Sequence, residues 1–304
     1  MPEPKFERQF EPLHGQPVPL AEGLVRVTAG NSGPFTFHGT NSYLIGTQTL
    51  ALIDPGPEDE AHRDALMAAI AGRPLSHVFV THTHRDHSPL ARWFARQTGA
   101  KILAEGPHRS ARPLRRDEAN PLQESADHDF VPDRTLVDGE CIEGDGWSIK
   151  AIATPGHTAN HMAFAFEDQD IVFSGDHVMA WSTSIIAPPD GSMSDFMTSL
   201  DRLLAREDRL LLPGHGGAVT APRSFMRALK SHRRMREATI LDQLGKGHRS
   251  IMPMVETIYR DTDRKLHGAA ALTVLAHLED LAGRGLVVTE DGKPASLDSV
   301  YALA

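Results

Sequence analysis

The sequence predicts an α+β protein in which helices cover a layered core of strands, followed by a small winged-helix-like domain. Over the first 104 residues, short apolar runs rich in β-branched residues alternate with stretches of helical periodicity. That alternation is typical of sheets covered by helices. After about residue 222 the pattern changes to long helices and a hairpin signal. We therefore expect a larger domain over 1–222 and a C-terminal domain over 223–304.

The strands of the larger domain are predicted from short apolar runs that end at turn residues. Asp54, for example, ends such a run directly before Pro55 and Gly56. Residues 1–20 contain many prolines, and we expect them to be irregular. The predicted strands span 24–27, 35–45, 49–54, 77–80, 101–104, 147–153, 161–166, 170–174 and 210–212.

The helices are predicted where apolar residues recur at three- and four-residue spacing. In the C-terminal domain, the run at 286–289 and the turn at Asp291-Gly292 predict a β-hairpin, so this domain reads as a winged helix. Residues 105–134 show little periodicity, and we interpret them as an insertion or a mobile flap. The predicted helices span 58–71, 88–97, 195–205, 224–244, 250–259 and 266–282.

The composition narrows the cellular context. The 304 residues contain one cysteine, Cys141, which excludes an intrachain disulfide and fits a reducing compartment. We interpret Cys141 as a minor core residue. No stretch approaches the roughly 18 apolar residues of a membrane helix, and the first 13 residues lack the apolar region of a secretory signal. We therefore expect a cytoplasmic protein without a membrane partner.

The net charge of −9 argues against a general nucleic-acid binder. The charge is uneven along the chain. Residues 1–222 hold 18 Lys and Arg against 30 Asp and Glu, a net charge of −12, whereas residues 223–304 hold 13 against 10, a net charge of +3. An acidic first domain and a mildly basic second domain indicate two functional regions.

The strongest chemical signal is a His-x-His-x-Asp-His run that directly follows a predicted strand. Imidazole and carboxylate groups suit zinc, iron or manganese, and so many of them would be costly to bury together without a metal. Three further candidates stand at the ends of loops or strands, in Pro-Gly-His, Gly-Asp and Pro-Gly-His-Gly contexts. The candidate ligands are His82, His84, Asp86, His87, His157, Asp176 and His215.

These motifs, in this order, resemble those of the metallo-β-lactamase superfamily, whose members fold as a four-layer αβ/βα sandwich. The resemblance covers roughly residues 24–218. It implies that Asp54 orients the His-rich loop by hydrogen bonds and that Asp176 bridges two metal ions. It assigns His82, His84 and His157 to one ion, and Asp86, His87 and His215 to the other.

The resemblance implies hydrolysis at a dinuclear site, with zinc as the expected metal and iron or manganese as alternatives. Two cations about 3.5–4 Å apart lower the pKa of water toward neutrality, and Asp86 can accept the water proton as the catalytic residue. His177 follows Asp176 directly and is a candidate for a supporting contact. His161 lies in a predicted strand, so we do not expect it to join His157 as a ligand.

The whole chain is similar to the β-lactamase-like endoribonuclease family known from animal mitochondria and its bacterial relatives. The similarity includes the segment 39–44, the segment 154–162, and Ser231-His232-Arg233. It implies cleavage of phosphodiester bonds in single-stranded RNA. Arg233, Arg234 and Arg236 are then candidates for binding substrate phosphates.

Two alternatives stay open at this stage. The same ligand set occurs in thioester hydrolases related to glyoxalase II (hydroxyacylglutathione hydrolase), so the substrate is either a small ester or thioester or single-stranded RNA. A non-catalytic winged-helix regulatory protein with an inherited metal site is the second alternative, but the complete ligand set argues against it. Asp176 stands where secreted β-lactamases usually have Cys or Ser, which argues against antibiotic hydrolysis.

Overall fold

A computed structural model describes residues 3–116 and 118–304 and confirms the four-layer fold. In its first sheet, strands follow one another in chain order, and β4, β5, β6 and β7 run parallel. These strands are Val18–Ala21 (β1), Leu24–Thr28 (β2), Asn41–Ile45 (β3), Leu50–Ile53 (β4), Leu75–Phe79 (β5), Lys101–Ala104 (β6) and Arg134–Thr135 (β7).

The second sheet packs against the first and has the strand order β12-β11-β10-β9-β8. Its neighbours pair antiparallel except β11 and β12, which are parallel. The strands are Cys141–Glu143 (β8), Ser148–Ala153 (β9), Met162–Phe166 (β10), Ile171–Gly175 (β11) and Leu210–Pro213 (β12).

Helices cover the outer face of each sheet, and further helices with a short hairpin form the C-terminal domain. The helix α1 begins after Asp59, whose carboxylate accepts the His62 N–H at 2.7 Å as an N-cap. The helices are Glu60–Ile70 (α1), Leu90–Thr98 (α2), Met193–Leu204 (α3), Pro222–Gly245 (α4), Ile251–Ile258 (α5) and His267–Gly283 (α6). The hairpin strands are Val287–Thr289 (β13) and Tyr301–Leu303 (β14).

The side-chain alternation of the strands separates the cores. In β10, Met162 and Phe164 point into the core between the two sheets, whereas Ala163 and Ala165 pack beneath the helices on the outer face. In β4, Ile53 lies in the same central core and Leu52 lies under α1 and α2. This two-residue period explains why nearly continuous apolar runs form these buried strands.

The strand ends determine where polar side chains collect. The parallel strands β4 and β5 end at Ile53 and Phe79, and the parallel strands β11 and β12 end at Gly175 and Pro213. The carboxyl ends of parallel strands meet at one edge of a sheet, where connecting loops carry functional residues. Most of the polar motifs found in the sequence follow these ends.

Helix α4 belongs to two cores. Near its start, Met226 and Leu229 pack under the second sheet, and near its end, Ile240 and Leu244 pack with α5 and α6. The proposed boundary at 222/223 therefore coincides with the start of a helix that joins both parts, and the boundary stays a prediction. Over the described residues, no helix has both the length and the apolar composition needed to cross a bilayer.

Several local predictions were wrong. Residues 18–20 belong to β1, because they pair with β2, and residues 35–40 form turns before β3 begins. Cys141 is exposed on the short edge strand β8, so it is not a core residue. Long-range pairing decides these cases, and local patterns do not reveal it. By contrast, the predicted hairpin is present: β13 pairs antiparallel with β14, and the connecting loop contains the Asp291-Gly292 turn.

The segment 105–134 is anchored at several points. Ser110 and Asn120 donate to the buried Asp190 carboxylate at 2.7 and 2.8 Å. Arg112 donates to Glu279 of α6 at 2.7 Å, so the segment bridges the two domains. Glu118 also accepts from Arg112, and its pKa is lowered to about 2 by this hydrogen bond.

Removing buried apolar volume next to the site should destabilise the fold. We expect Leu52→Ala to lower the free energy of unfolding by about 2–5 kcal/mol, because Leu52 is fully buried under the helices of the first sheet. The matched control, Leu114→Ala, removes the same atoms from a side chain that is 50% exposed and should cost less than about 1 kcal/mol. Urea denaturation measures both, and equal losses would contradict the core assignment.

Candidate metal centre

The loops after β4, β5, β9, β11 and β12 bring all of the predicted ligands into one cluster. Most of these side chains are buried, and only Asp86 is partly exposed. Their nitrogen and oxygen atoms form overlapping groups that could hold metal ions. The groups are His82, His84 and His157; His82, His87 and Asp176; and Asp86, His87 and His215.

The first group consists of three imidazoles. The Nδ1 atom of His84 lies 3.0 Å from Nε2 of His82 and 3.1 Å from Nε2 of His157. The Asp176 carboxylate borders this group, with Oδ2 at 3.7 Å from Nε2 of His157. These three nitrogens and one oxygen therefore converge on a common point.

The second group adds carboxylates to two further imidazoles. The Nε2 atoms of His87 and His215 are 3.3 Å apart. Oδ2 of Asp86 lies 3.1 Å from Nε2 of His215, and Oδ2 of Asp176 lies 3.3 Å from the same nitrogen. The other oxygen of Asp176, Oδ1, is 3.6 Å from Nε2 of His87. Asp176 thus borders both groups.

The arrangement fits a pair of divalent cations. A tetrahedral zinc ion, with metal–nitrogen distances of about 2.0–2.1 Å, places its ligand atoms about 3.3 Å apart, close to the separations seen here. Oδ1 of Asp176 is buried without a hydrogen-bond partner among the described residues, as expected for an oxygen reserved for a metal. Imidazole and carboxylate ligands suit zinc, iron and manganese, so the ligand types do not select among these metals.

Burial and charge divide the imidazoles into two sets. Burial lowers the pKa of His84 to about 3, and it also lowers the pKa values of His82 and His157. Burial alone would lower the pKa of His215, but the charges and hydrogen bonds of Asp176 and Asp86 together outweigh it and raise that pKa to about 9. The carboxylates likewise raise the pKa of His87 against the effect of burial.

The Asp54 side chain hydrogen-bonds to the His-rich loop. Its Oδ1 accepts the Thr81 N–H at 2.7 Å, and its Oδ2 accepts the Thr81 hydroxyl at 2.8 Å. Oδ2 also lies 2.9 Å from Nδ1 of His87, which leaves Nε2 of His87 facing the cluster. Asp54 has a φ of 48°, an unusual backbone conformation that aspartate tolerates better than most residues.

Two glycines in the motifs are required by close packing. A Cβ atom at Gly214 would lie 2.5 Å from Cε1 of His87 and 2.6 Å from Oδ1 of Asp176. Gly156 has a φ of 141°, and a Cβ atom there would lie 2.4 Å from Cα of Phe196. The Pro-Gly-His pattern therefore reflects backbone geometry that side chains would block.

Two supporting residues were missed by the sequence analysis. The Asn41 side chain donates to the carbonyls of Pro213 and Gly216 at 3.1 and 2.9 Å, which fixes the loop that carries His215. Nε2 of the buried His161 accepts the Asp176 N–H at 3.1 Å. The segment 39–44 had been noted in the sequence, and it was the pattern from which Asn41 could have been found. His161 lies outside the groups of candidate ligands, as expected. Its hydrogen bond with the Asp176 N–H depends on the pairing of strands and has no signal in the local sequence.

The loop after Asp176 contacts the His157 ring on the side away from the cluster. Nδ1 of His157 lies 2.7 Å from the Ile185 carbonyl, which leaves Nε2 for the cluster. The Ser184 hydroxyl donates to the carbonyls of Asp176 and His177, and the Ser184 carbonyl accepts from Arg233 of α4. Arg233 of α4 is therefore connected to the candidate centre through one loop.

The remaining candidates occupy different surroundings. His177 is fully buried against Phe196, with ring centroids 4.4 Å apart, and has no hydrogen bond to a ligand side chain in the described parts of the chain. Arg233 is buried, whereas Arg234 is exposed, so these two do not share one surface. Arg236 is partly buried and lies over the Tyr259 ring at 4.3 Å.

A cavity of about 700 Å³ opens directly onto the cluster, where His84, Asp86, His157 and Asp176 line it. The larger domain contributes apolar walls that include Met179 and Trp181. The C-terminal domain also contributes to the lining, with Tyr259, Leu266, Ala269, Ala270, Leu272 and Thr273. Such a volume accommodates a small organic substrate.

Comparison with known proteins agrees with this geometry. Residues 35–215 match the metallo-beta-lactamase superfamily, over more than half of the chain. The chain belongs to this superfamily. Residues 250–294 also match the beta-lactamase associated winged helix domain, which confirms the nature of the C-terminal domain.

Similar proteins include one with a full-length match and one with a partial match. A beta-lactamase-like protein 2 homolog from Caenorhabditis elegans is 28% identical over 283 residues, covering 90% of this chain and 89% of that protein. The atrochrysone carboxyl ACP thioesterase AgnL7 from Paecilomyces divaricatus is 32% identical over 203 residues, covering 66% of this chain. That match spans only 57% of the fungal protein.

Solved structures show the same fold over nearly the whole chain. A beta-lactamase domain protein from Burkholderia ambifaria superposes with a TM-score of 0.76 at 20% identity, covering 97% of this chain and 96% of its own. A metallo-beta-lactamase family protein from Thermus thermophilus gives a TM-score of 0.72 at 24% identity, covering 94% of this chain and 100% of its own. The fold is therefore shared over nearly the whole chain.

The Asp54 contacts predict a specific loss of metal affinity. We expect Asp54→Ala to weaken metal binding by about 10- to 100-fold, because His87 loses the partner that holds its ring. A matched control is Asp59→Ala, which removes the α1 cap and so lowers stability by about 1 kcal/mol without touching the cluster. Chelator competition measures both affinities, and equal effects would contradict the orienting role of Asp54.

The raised pKa values predict proton release on metal binding. His215, with a pKa of about 9, carries a proton in metal-free protein at pH 7, and a metal ion must displace it. Calorimetric titrations in buffers of different ionisation enthalpy should show release at pH 7 that declines as the pH rises past 9. Apparent metal affinity should fall as the pH is lowered. Binding without proton release at pH 7 would contradict this assignment.

Proposed function

We propose that this protein hydrolyses thioesters of small acyl groups at a dinuclear metal centre built from the seven clustered ligands. The observation that carries the proposal is the cavity beside the cluster, whose walls come from both domains and are largely apolar. A substrate in this cavity places its reacting carbon next to His84, Asp86 and Asp176. We expect zinc in the centre, and the ligand set also suits iron and manganese.

The cavity favours a compact organic substrate over RNA. Single-stranded RNA binding typically uses a basic groove with aromatic side chains on which bases stack. Here Arg233 is directed into the interior, Arg234 is exposed, and the ring of Tyr259 is covered by Arg236. These positions do not form a continuous phosphate-binding surface. RNA cleavage therefore stays a prediction that the activity test must address.

The names of similar proteins support the thioester assignment. The fungal relative AgnL7 is named as an atrochrysone carboxyl ACP thioesterase. The superfamily match at 35–215 contains every candidate ligand, so the ligand loops lie within the region that defines the superfamily. The chemistry of the centre is therefore compatible with the proposed reaction class.

The reaction needs few protein groups. Water adds to the acyl carbon, the carbon–sulfur bond breaks, and a carboxylic acid and a thiol result. Two divalent cations, when bound, would lower the pKa of water and polarise the acyl oxygen. Asp86 accepts the proton of the attacking water, since its carboxylate is the partly exposed member of the cluster and lines the cavity. A thiol has a pKa of about 8.5, so it departs without a dedicated acid.

Loss of a ligand should abolish thioester hydrolysis. We expect His84→Ala and Asp176→Ala to lower kcat/KM for butanoyl-pantetheine by more than about 100-fold, because each change removes a direct ligand atom from the cluster. The matched control, His128→Ala, removes an exposed imidazole outside the cluster and should retain activity. Circular dichroism verifies that each variant is folded.

A parallel assay with an unstructured oligoribonucleotide separates the two substrate classes. The proposal predicts thioester cleavage that depends on His84 and Asp176, and no RNA cleavage that depends on them. Metal- and His84-dependent RNA cleavage without thioester cleavage would overturn the proposal and support the endoribonuclease alternative.

A further inference from the structure

Basic side chains lie inside the cavity, on the wall formed by α4. Arg233 is 3% exposed, and its guanidinium carbon lies 5.0 Å from the centre of the Phe196 ring. Arg236 lies one turn further along the helix and also lines the cavity, as does His232. The candidate metal ligands line the same cavity, so the basic wall and the reaction centre share one space.

The described part of the chain supplies no carboxylate partner for Arg233 or Arg236. Glu237 is next to Arg236 in sequence, but its carboxylate accepts from Arg284. Asp280 of α6 also pairs with Arg284, at 2.9 Å. The carboxylates of Glu237 and Asp280 are therefore already paired with a different arginine.

Several nitrogen atoms of this wall are also without hydrogen-bond partners among the described residues. They include Nε of Arg233, Nε of Arg236 and Nδ1 of His232. The contact of Arg233 with the Ser184 carbonyl uses Nη2, which leaves most of its five donors free. Burying a guanidinium without an anionic partner is costly, which indicates that an anion occupies this place when substrate is bound.

Two imidazoles lie close to the positive charge of this wall. Burial, followed by the charges of Arg233 and Arg236, lowers the pKa of His232 to about 4. The same causes lower the pKa of His277, on the neighbouring helix α6, to about 3. Both imidazoles are therefore neutral at pH 7, and the positive charge at this wall belongs to the two arginines.

We infer that Arg233 and Arg236 form an anion subsite that binds an anionic oxygen group, carboxylate or phosphate, of the thioester substrate. The inference rests on the proposed function and adds a substrate class to it. The planar guanidinium suits both anions through paired N–H donors. The anionic group holds one end of the substrate at α4, while the thioester carbonyl lies at the metal-ligand cluster across the same cavity.

Two substrate pairs distinguish the source of the anion. Succinyl-pantetheine against butanoyl-pantetheine tests a carboxylate on the acyl group. Butanoyl-4′-phosphopantetheine against butanoyl-pantetheine tests a phosphate on the thiol carrier. The wild-type protein should prefer the anionic member of one pair by about 10- to 100-fold in kcat/KM, the range expected for a charge-assisted hydrogen bond.

Arg236→Gln should remove this preference, since it eliminates the charge while keeping a polar side chain. Its matched control is Arg227→Gln on the same helix, where the side chain is exposed and outside the cavity. The control should keep the preference, and each variant is judged by its own ratio of kcat/KM for the anionic and the neutral substrate. Equal cleavage of anionic and neutral substrates by the wild-type protein, or an unchanged preference in Arg236→Gln, would overturn the subsite.

A binding measurement separates this inference from the proposed function. If no thioester is cleaved, the proposed function fails, and the subsite is then judged by titrating metal-loaded protein with glutarate and with inorganic phosphate. Affinity for one anion that is at least about 10-fold weaker in Arg236→Gln than in Arg227→Gln supports the subsite. Equal affinities in the two variants contradict it.

Discussion

The crowding of imidazole nitrogens and carboxylate oxygens at one end of the sandwich is the constraint on which the rest of the structure depends. Nitrogens of His82 and His157 lie 3.0 and 3.1 Å from a nitrogen of His84 in a buried site. Such groups remain together only when other contacts hold them or when a cation binds them. Asp54 and Asn41 provide those contacts from the ends of neighbouring strands, so the sheet edges, the tight glycine turns and the buried hydrogen bonds serve one site.

The C-terminal domain contributes residues to the cavity beside the candidate metal centre. It supplies one wall of the cavity, and Arg233 of α4 donates to the loop that supports His157. The ion pair between Arg112 and Glu279 ties the segment 105–134 to α6. These contacts join the helical C-terminal region to the candidate metal centre around one cavity. The winged-helix domain shapes part of that cavity, and Arg233 and Arg236 of α4 also line it.

The sequence indicated which polar side chains cluster more completely than it indicated the contacts that hold them. Candidate ligands such as His84 and Asp176 stand in short motifs after strands, and the strand ends bring them together, so local patterns were sufficient to find the cluster. The contact of His161 with the Asp176 backbone depends on the register of β10 against β11, which no local pattern contains. The inward direction of Arg233 depends on which face of α4 packs under the second sheet. Cys141 was interpreted as a core residue, but it lies on the short edge strand β8 and is exposed. Whether a strand lies at a sheet edge depends on neighbours that are distant in sequence, so a local pattern does not reveal it.

The most direct test of the account is the number of divalent ions that each chain retains. Plasma mass spectrometry on dialysed protein, loaded with zinc, iron or manganese in turn, gives this number. We expect two ions per wild-type chain and fewer in Asp176→Asn, because Asp176 borders both groups of candidate ligands. A wild-type chain that binds no ion, or that binds two independently of Asp176, would contradict the dinuclear centre.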